Sequence, residues 1–378
     1  MASSHLRKAD SILGPWWAVR RAGAPESTRR DFCSRRRDVI GDHRQDRPLA
    51  DWAIGLTEPD RRQARRRPHR TYRDTWLQVA ALLDARAAGA DAKSDALEPS
   101  SDARPHVAAW PCGASHEGQP IWAVDVAPPG PADATTLVVA GLHAMEHVGV
   151  AAAVALLERA ASADSPWRKH RLVVVPMANP DGFLAVEEAL AAGQRRFRRT
   201  NAASVNLNRS FAAGWDDRYY LNRVLRPIFS PGSGPLSEPE TRAVDAVLAA
   251  VRPTYAVSLH AFGEWIFTPY AGSRRPPAAL ALMLTLARGM AMAQPHRPYR
   301  VMQLGMRSRL FQARGAEIDH FYDRYNALSF LIEIGAGPRL RAPGTWLHPY
   351  AWFTPPAPLL ARDVANVLPA IEFLGRVA

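Results

Sequence analysis

The sequence has almost no cysteine and no long apolar run. Cys33 and Cys112 are its 2 cysteines among 378 residues, which excludes a disulfide framework and a thiolate metal cluster. No segment approaches the ~18 to 20 consecutive apolar residues of a membrane span, and residues 11–18 are too short and poorly flanked for a signal peptide. We therefore expect a cytoplasmic protein without a membrane span, whose metal sites, if any, use histidine and carboxylate ligands.

Most of the excess positive charge lies in the N-terminal part of the chain. The formal net charge is +12, and residues 1–70 hold 17 Lys and Arg against 9 Asp and Glu, which leaves +4 for residues 71–378. Residues 1–70 also lack sustained apolar periodicity, so we expect a basic, largely disordered extension. Such an extension could alternatively dock on RNA, DNA or anionic lipid. For residues 71–378 we expect no nucleic-acid binding.

Strand and helix patterns alternate from residue 71 onwards, and the chain is 47% apolar, enough for a large core. The predicted helices span residues 71–89, 149–161, 237–251 and 356–374. The predicted strands span residues 107–110, 120–126, 136–141, 171–176, 253–260 and 330–334. The first two strands would form a hairpin at a sheet edge. Alternation of this kind predicts an α/β fold, with helices on both faces of a sheet.

Polar residues follow several of the predicted strands. His143 and Glu146 come one helical turn apart after one strand, and His260 ends another. Glu333 ends a further buried strand, and the segment Asn206–Arg209 contains two amides and a guanidinium. Because strand ends in an open α/β sheet converge on the ligand crevice, these side chains could form a zinc site with a carboxylate base. They are the groups that zinc-dependent hydrolysis of an amide requires.

Three segments of the chain carry a resemblance to a known family. They are residues 311–333 (FQARGAEIDHFYDRYNALSFLIE), residues 258–272 (SLHAFGEWIFTPYAG) and the turn Asn179–Gly182. Together they resemble the zinc carboxypeptidases of the A and B type, over a region from Val107 to Val377. The resemblance implies that family's fold, a mixed eight-stranded twisted sheet with helices on both faces. It also implies a catalytic domain at residues 71–378, with one zinc ion per chain and a peptide substrate that has a free C-terminal carboxylate.

The resemblance assigns the chemical roles residue by residue. The implied zinc ligands are His143, Glu146 and His260. Glu333 would be the general base that activates the attacking water and then protonates the leaving amine. A buried glutamate beside a cation can perform both steps, because its surroundings can bring its pKa towards neutrality.

Two further roles concern the substrate. Arg198 matches the arginine that polarises the scissile carbonyl, although the assignment can slip by one because arginines also stand at positions 195, 196 and 199. Asn208 and Arg209 match the pair that binds the terminal carboxylate, where a guanidinium can contact both oxygens. This pair is what would make the protein an exopeptidase.

The chain departs from the family pattern at several positions. Phe311 stands where the family usually has a tyrosine over the substrate, so we expect one phenolic hydrogen bond to be missing. Met145 replaces an arginine that contacts the upstream part of the substrate in digestive members. Ile318 aligns with the floor of the pocket for the C-terminal side chain, which Leu331 and Ala313 would also line. An apolar pocket favours aliphatic or aromatic C-terminal residues.

Other interpretations of the same residues exist. His143–His147 also spells HxxEH, the inverted zinc-peptidase motif in which both histidines bind metal and Glu146 is the base. That motif needs a helix with both histidines on one face, and it leaves His260 and Glu333 without a role. A binding protein that keeps the fold without turnover is a third possibility. A fourth is a carboxypeptidase-like zinc amidase that cleaves N-acyl amino acids or murein peptides.

Overall fold

A mixed sheet forms the centre of the molecule. The computed structural model describes residues 49–54, 71–91, 105–162, 164–194, 197–216, 218–219, 224–308, 310, 312–336 and 350–377. The strands are β1 (His106–Ala114), β2 (Pro120–Ala127), β3 (Ala134–Ala140), β4 (His170–Val175), β5 (Tyr255–His260), β6 (Trp265–Thr268), β7 (Arg300–Gln303) and β8 (Leu328–Glu333). They form one 8-stranded sheet in the order β1-β2-β4-β3-β5-β8-β6-β7.

The middle of the sheet is parallel, and antiparallel pairings flank it. Strands β4, β3, β5 and β8 run parallel to one another. The hairpin of β1 and β2 joins β4 antiparallel at one side, and β6 joins β8 antiparallel at the other. The prediction of an α/β fold with a mixed eight-stranded sheet is therefore confirmed, as is the predicted hairpin at its edge.

Helices cover both faces of the sheet. The described residues form α1 (Leu49–Ile54), α2 (Tyr72–Asp91), α3 (His147–Ala160), α4 (Pro180–Ala191), α5 (Arg226–Phe229), α6 (Pro239–Val251), α7 (Leu280–Met292), α8 (Glu317–Tyr325), α9 (Tyr350–Phe353) and α10 (Ala357–Leu374). Successive side chains of a strand point to opposite faces. Val138 of β3 accordingly packs in one core cluster with α3 and α10, whereas Leu137 and Val139 pack in a second cluster with α6 and α8.

The sequence patterns identified the central strands and the helices α2, α3, α6 and α10, but they missed the helices α4, α7 and α8 and the short strands β6 and β7. Strands β6 and β7 have 4 residues each, too few for the two-residue period to be recognised. Helix α7 (LALMLTLARGMAM) is apolar on most sides, so it has no clear polar stripe. The predicted N-cap of α6, Ser237, is wrong by one residue. The cap is Glu238, which precedes Pro239 at the first helical position, where proline needs no backbone N–H.

Helix α1 belongs to the folded unit although it lies within residues 1–70. Its Trp52 ring packs against Tyr72, Trp76 and Trp122, at centroid distances of 6.0, 5.6 and 5.8 Å. Residues 49–54 lie in the extension that was expected to be largely disordered, yet Leu49, Trp52 and Ala53 pack in the main core with α2 and β2. The predicted extension otherwise lies outside the described residues. Across the parts of the chain described above, no helix is long and apolar enough to cross a membrane.

Candidate active site

Two histidines and a glutamate meet at the carboxyl ends of β3 and β5. The Nδ1 atom of His143 lies 2.9 Å from Oε1 of Glu146 and 3.0 Å from Nδ1 of His260. The Nδ1 atom of His260 lies 2.9 Å from Oε2 of Glu146. The three side chains are buried, with exposed fractions of 3%, 2% and 1%. They form a group that could hold a metal ion, and two nitrogens with one carboxylate oxygen are a donor set that zinc accepts.

The sheet explains why residues so distant in sequence meet. Strands β3 and β5 are adjacent and parallel, with Ala140 opposite Leu259, so both lead to the same edge. Gly141 then turns the chain into the ligand segment at a φ of +69°, where a Cβ would lie 3.1 Å from the Met177 backbone. The backbone N–H of Ala261 donates to Oε2 of Glu146, at 3.1 Å, which holds the carboxylate towards His260.

The second ring nitrogen of each histidine also has a partner. Nε2 of His143 lies 3.1 Å from Oδ1 of Asn206, and Nε2 of His260 lies 2.9 Å from Oε1 of Glu317. Metal-ligating histidines usually donate their other N–H to an oxygen in this way, which fixes the ring and its tautomer. Neither Asn206 nor Glu317 had a predicted role, although Asn206 begins the segment Asn206–Arg209 and Glu317 lies within residues 311–333.

The electrostatic environments of the two histidines differ. Burial, with the Arg199 guanidinium nearby, lowers the pKa of His143 to about 4, which favours the neutral ring that a metal requires. For His260, burial alone would lower the pKa, but the carboxylates of Glu317 and Glu146 raise it to about 10. Metal binding at Nδ1 requires that this nitrogen carry no proton.

The arginine that contacts the candidate ligands is Arg199 and not Arg198. Its Nη1 donates to Oε1 of Glu146 at 3.0 Å, and its Nη2 lies 3.0 Å from Nδ1 of His143. Arg198 instead donates to the backbone oxygen of Asn201, at 3.0 Å. The sequence prediction gave the role of polarising the scissile carbonyl to Arg198. The side chain that lies at the candidate ligands is that of the next residue, Arg199. Consecutive arginines on an irregular segment permit such a slip, because no periodicity fixes which side chain faces the site.

Glu333 ends β8 directly beside the ligand cluster. Its Cα is paired with that of His260 in the sheet. Burial raises its pKa to about 7, and the nearby Glu146 carboxylate contributes to the rise, whereas His260 and Arg199 oppose it. The Oε2 atom is buried and has no hydrogen-bond partner among the described residues. Its position next to the candidate ligands is the one that the sequence predicted for a base.

Asn208 and Arg209 lie on a short 3₁₀ helix, Leu207–Arg209, that Asn206 caps. The Nδ2 atom of Asn208 is 3.5 Å from Nε2 of His260, so this helix adjoins the cluster. Arg209 Nη1 donates to the backbone oxygen of Asn208, and its guanidinium lies 5.2 Å from the Phe229 ring centre. Burial lowers the pKa of Arg209 to about 10, which still leaves the side chain cationic at neutral pH.

The residues predicted for the side-chain pocket lie together. Ile318 is fully buried in a small apolar cluster with Phe267 and Leu331, and Ala313 packs against that cluster. Phe311 lies outside the described residues, although its two neighbours are anchored. The backbone oxygen of Leu310 accepts from the Tyr219 hydroxyl at 2.9 Å, and the N–H of Gln312 donates to the same hydroxyl at 2.7 Å.

The structure does not support the inverted motif. His143 precedes α3 and His147 is its first residue, so the two do not share a helix face. The His147 ring stacks on Phe183 with centroids 4.1 Å apart, and it is not in the candidate metal group. Met145, between the ligands, is fully buried in the main core and therefore presents no group to a substrate.

Comparison with known proteins identifies the family. The zinc carboxypeptidase family model matches residues 97–364, well over half of the 378-residue chain. The chain belongs to the zinc carboxypeptidase family, so the resemblance stated from the sequence is confirmed.

The curated relatives match over short stretches. Carboxypeptidase O from Bos taurus is 28% identical over 102 residues, which cover 26% of this chain and 27% of the relative. The uncharacterized protein YqgT from Bacillus subtilis (strain 168) is 30% identical over 118 residues, covering 27% of this chain and 31% of the relative. The matched stretches thus span under a third of the length of each.

Solved structures agree on the fold. Carboxypeptidase A from Helicoverpa armigera has a TM-score of 0.65 at 19% identity, covering 87% of this chain and 78% of that chain. Bovine thrombin-activatable fibrinolysis inhibitor, in complex with tick carboxypeptidase inhibitor, has a TM-score of 0.61 at 19% identity, covering 78% and 95%. At this level of identity, the likeness supports the carboxypeptidase A-like fold.

Proposed function

We propose that the protein is a zinc-dependent carboxypeptidase that hydrolyses the C-terminal peptide bond of peptides. The observation that carries the proposal is the 3.5 Å approach of Asn208 Nδ2 to His260 Nε2, which sets the Asn208–Arg209 pair beside the candidate metal ligands. A guanidinium next to a metal site suits a substrate whose carboxylate lies one residue beyond the scissile bond. Membership of the zinc carboxypeptidase family supports the same reaction.

The proton transfers are assigned to Glu333. His143, Glu146 and His260 would hold the zinc ion, which would supply a Lewis acid at the scissile carbonyl. Glu333 accepts a proton from the attacking water at Oε2, which has no hydrogen-bond partner among the described residues, and then donates this proton to the leaving amine. A pKa of about 7 favours both steps, since a group that titrates near the working pH can accept and donate.

Two arginines handle negative charge on the substrate. Arg199, which lies against Glu146, stabilises the negative charge that develops on the carbonyl oxygen. Arg209 and Asn208 bind the terminal carboxylate, and the cationic guanidinium gives this contact most of its strength. In this proposal, different residues bind the two negative charges. Arg199 contacts the carbonyl oxygen, and Asn208 with Arg209 contacts the terminal carboxylate.

The preferred C-terminal residue is apolar in this proposal. Ile318, Leu331 and Phe267 belong to one buried apolar cluster, and a side chain buried against it gains about 1.5 to 3 kcal/mol over an exposed one. Peptides that end in leucine or phenylalanine should therefore have a higher kcat/KM than peptides that end in aspartate or serine.

The proposal is tested with blocked dipeptides that have a free or an amidated C-terminus. Amidation removes the charge that Arg209 binds, so we expect binding to weaken by about 2 to 5 kcal/mol. Arg209→Ala should erase most of the difference between the two substrates. Arg288→Ala, which changes an exposed arginine on α7, is the matched control and should preserve the difference.

Two further kinds of substrate, N-acyl amino acids and a murein tripeptide, distinguish the carboxypeptidase from the amidase alternative. Arg209 could bind the carboxylate of an N-acyl amino acid equally well, so this alternative shares the carboxylate site. If the protein hydrolysed these substrates and none of the blocked dipeptides, it would be an amidase and not a carboxypeptidase. Equal rates on free and amidated dipeptides would contradict both, because both need the carboxylate contact.

A further inference from the structure

Glu317 is a fully buried carboxylate that contacts a candidate metal ligand. It is the first residue of α8, with an exposed fraction of 0%. Its Oε1 lies 2.9 Å from Nε2 of His260. Its Oε2 is buried without a hydrogen-bond partner among the described residues. A buried carboxylate is costly unless a charge or hydrogen bonds compensate it, and His260 is the partner that the structure provides.

Glu317 is the strongest acceptor available to this nitrogen. Ser258 Oγ lies 3.0 Å from Nε2 of His260, but a hydroxyl is neutral and can donate its own proton elsewhere. Asn208 approaches with Nδ2, a donor, at 3.5 Å. A hydrogen bond to an ionised oxygen is roughly twice as strong as one to a neutral oxygen. The proton on Nε2 is therefore directed to Glu317, which leaves Nδ1 as the nitrogen that faces Glu146.

The other histidine is held differently. Nε2 of His143 contacts Oδ1 of Asn206, a neutral amide. The Arg199 guanidinium also lies 3.1 Å from this nitrogen, so His143 has a neutral acceptor and a cationic neighbour, whereas His260 has an anionic acceptor. Arg199 and Glu333 border the same cluster, and the ligand set itself contains one carboxylate, Glu146. Glu317 adds a further negative charge next to His260 without being a ligand itself.

We propose that Glu317 is a positioning residue for the metal. It acts through His260, whose tautomer and orientation it fixes, and it raises the affinity of the site for the ion. This inference rests on the proposed function only in taking His143, Glu146 and His260 as ligands. It makes no statement about the substrate.

The test measures the zinc dissociation constant of the full chain, by competition with a chromophoric chelator. Glu317→Ala should weaken zinc binding about 10- to 100-fold. Glu317→Gln should weaken it less, because the amide oxygen can still accept from Nε2 but carries no charge. Glu187→Gln is the control. Glu187 is also buried, but its Oε2 accepts from the backbone N–H of Tyr72 at 2.8 Å, so zinc binding should not change.

The rise in Tm on zinc addition separates positioning from a structural role. A ligand that binds only the folded chain raises Tm in proportion to the logarithm of its affinity, so the rise should shrink in the order wild type, Glu317→Gln, Glu317→Ala. A lower Tm without zinc, with an unchanged rise, would mean a structural role only. If the alanine variant does not fold, the near-isosteric glutamine variant gives the same comparison.

One result would reassign Glu317 to the substrate. If the Glu317→Gln dissociation constant equals that of the wild type while KM rises for peptides ending in lysine or arginine, Glu317 is a counter-charge for a cationic side chain and the proposal is wrong. Failure of the proposed function is distinct from this result. It would leave the zinc measurement unaffected, because that measurement uses no substrate.

Discussion

The metal-binding and substrate-binding parts of the site are built on different kinds of backbone. His143 follows β3 and His260 is the last residue of β5, two strands paired up to Ala140 and Leu259. Glu333 is itself paired with His260. The candidate arginine and the carboxylate-binding pair lie on an irregular segment, residues 197–201, and on the 3₁₀ helix at Leu207–Arg209. Strand register fixes where a side chain points, whereas an irregular segment does not. The difference explains why the first group followed from sequence and Arg199 did not.

The largest expected effect removes a candidate ligand. His143→Ala should lose both zinc and activity, since two remaining ligands cannot hold a catalytic ion. His147→Ala, four residues further on, should keep about one zinc per chain, because its ring stacks on Phe183. Elemental analysis of the purified variants measures both. Zinc retained in the first variant and lost in the second would restore the inverted motif.

The second prediction tests whether Glu333, at a paired strand end, acts in catalysis without binding the metal. Glu333→Gln should keep zinc and lower kcat by about 10²- to 10⁴-fold, because an amide cannot accept the proton of water. Zinc content and kcat are measured on the same preparation. Turnover at the wild-type rate would remove Glu333 from the mechanism.

The two adjacent arginines test the irregular part of the site directly. Arg199→Ala should lower kcat by about 10²- to 10³-fold, as for the loss of one donor to a developing oxyanion. Arg198→Ala should have a much smaller effect, because Arg198 contacts the backbone oxygen of Asn201. Steady-state kinetics on one free-acid dipeptide compares them. The reverse order of effects would return the role to Arg198.

The smallest effect concerns side-chain preference. Ile318→Ala should reduce the preference for leucine over alanine at the C-terminus by about 1 to 2 kcal/mol, while zinc content stays unchanged. Ile371→Ala, which removes a fully buried isoleucine of α10, is the control for lost stability. Both variants should lower the free energy of unfolding by about 2 to 5 kcal/mol, but only the first should alter the ratio of kcat/KM values.

The elements of the fold that the sequence could predict are those with a repeating apolar pattern. The long buried strands β3, β4 and β5 and the helices α6 and α10 were recognisable because their patterns repeat over several residues. The 4-residue strands β6 and β7 gave too short a signal. The contact between Glu317 and His260 was not accessible either. Glu317 stands 57 positions from His260, and only the packing of α8 beside β5 brings them together.

The route of the chain through the sheet determines when a metal can bind. The facing nitrogens of His143 and His260 are 117 positions apart, and the parallel strands β3 and β5 can pair only after the chain between them has crossed over. Pairing over so long a loop is slow, because the entropy of closing the loop is lost before any contact compensates it. A nascent or partly folded chain presents His143 and Glu146 without His260. We therefore expect zinc to stabilise the assembled sheet and not to nucleate its folding.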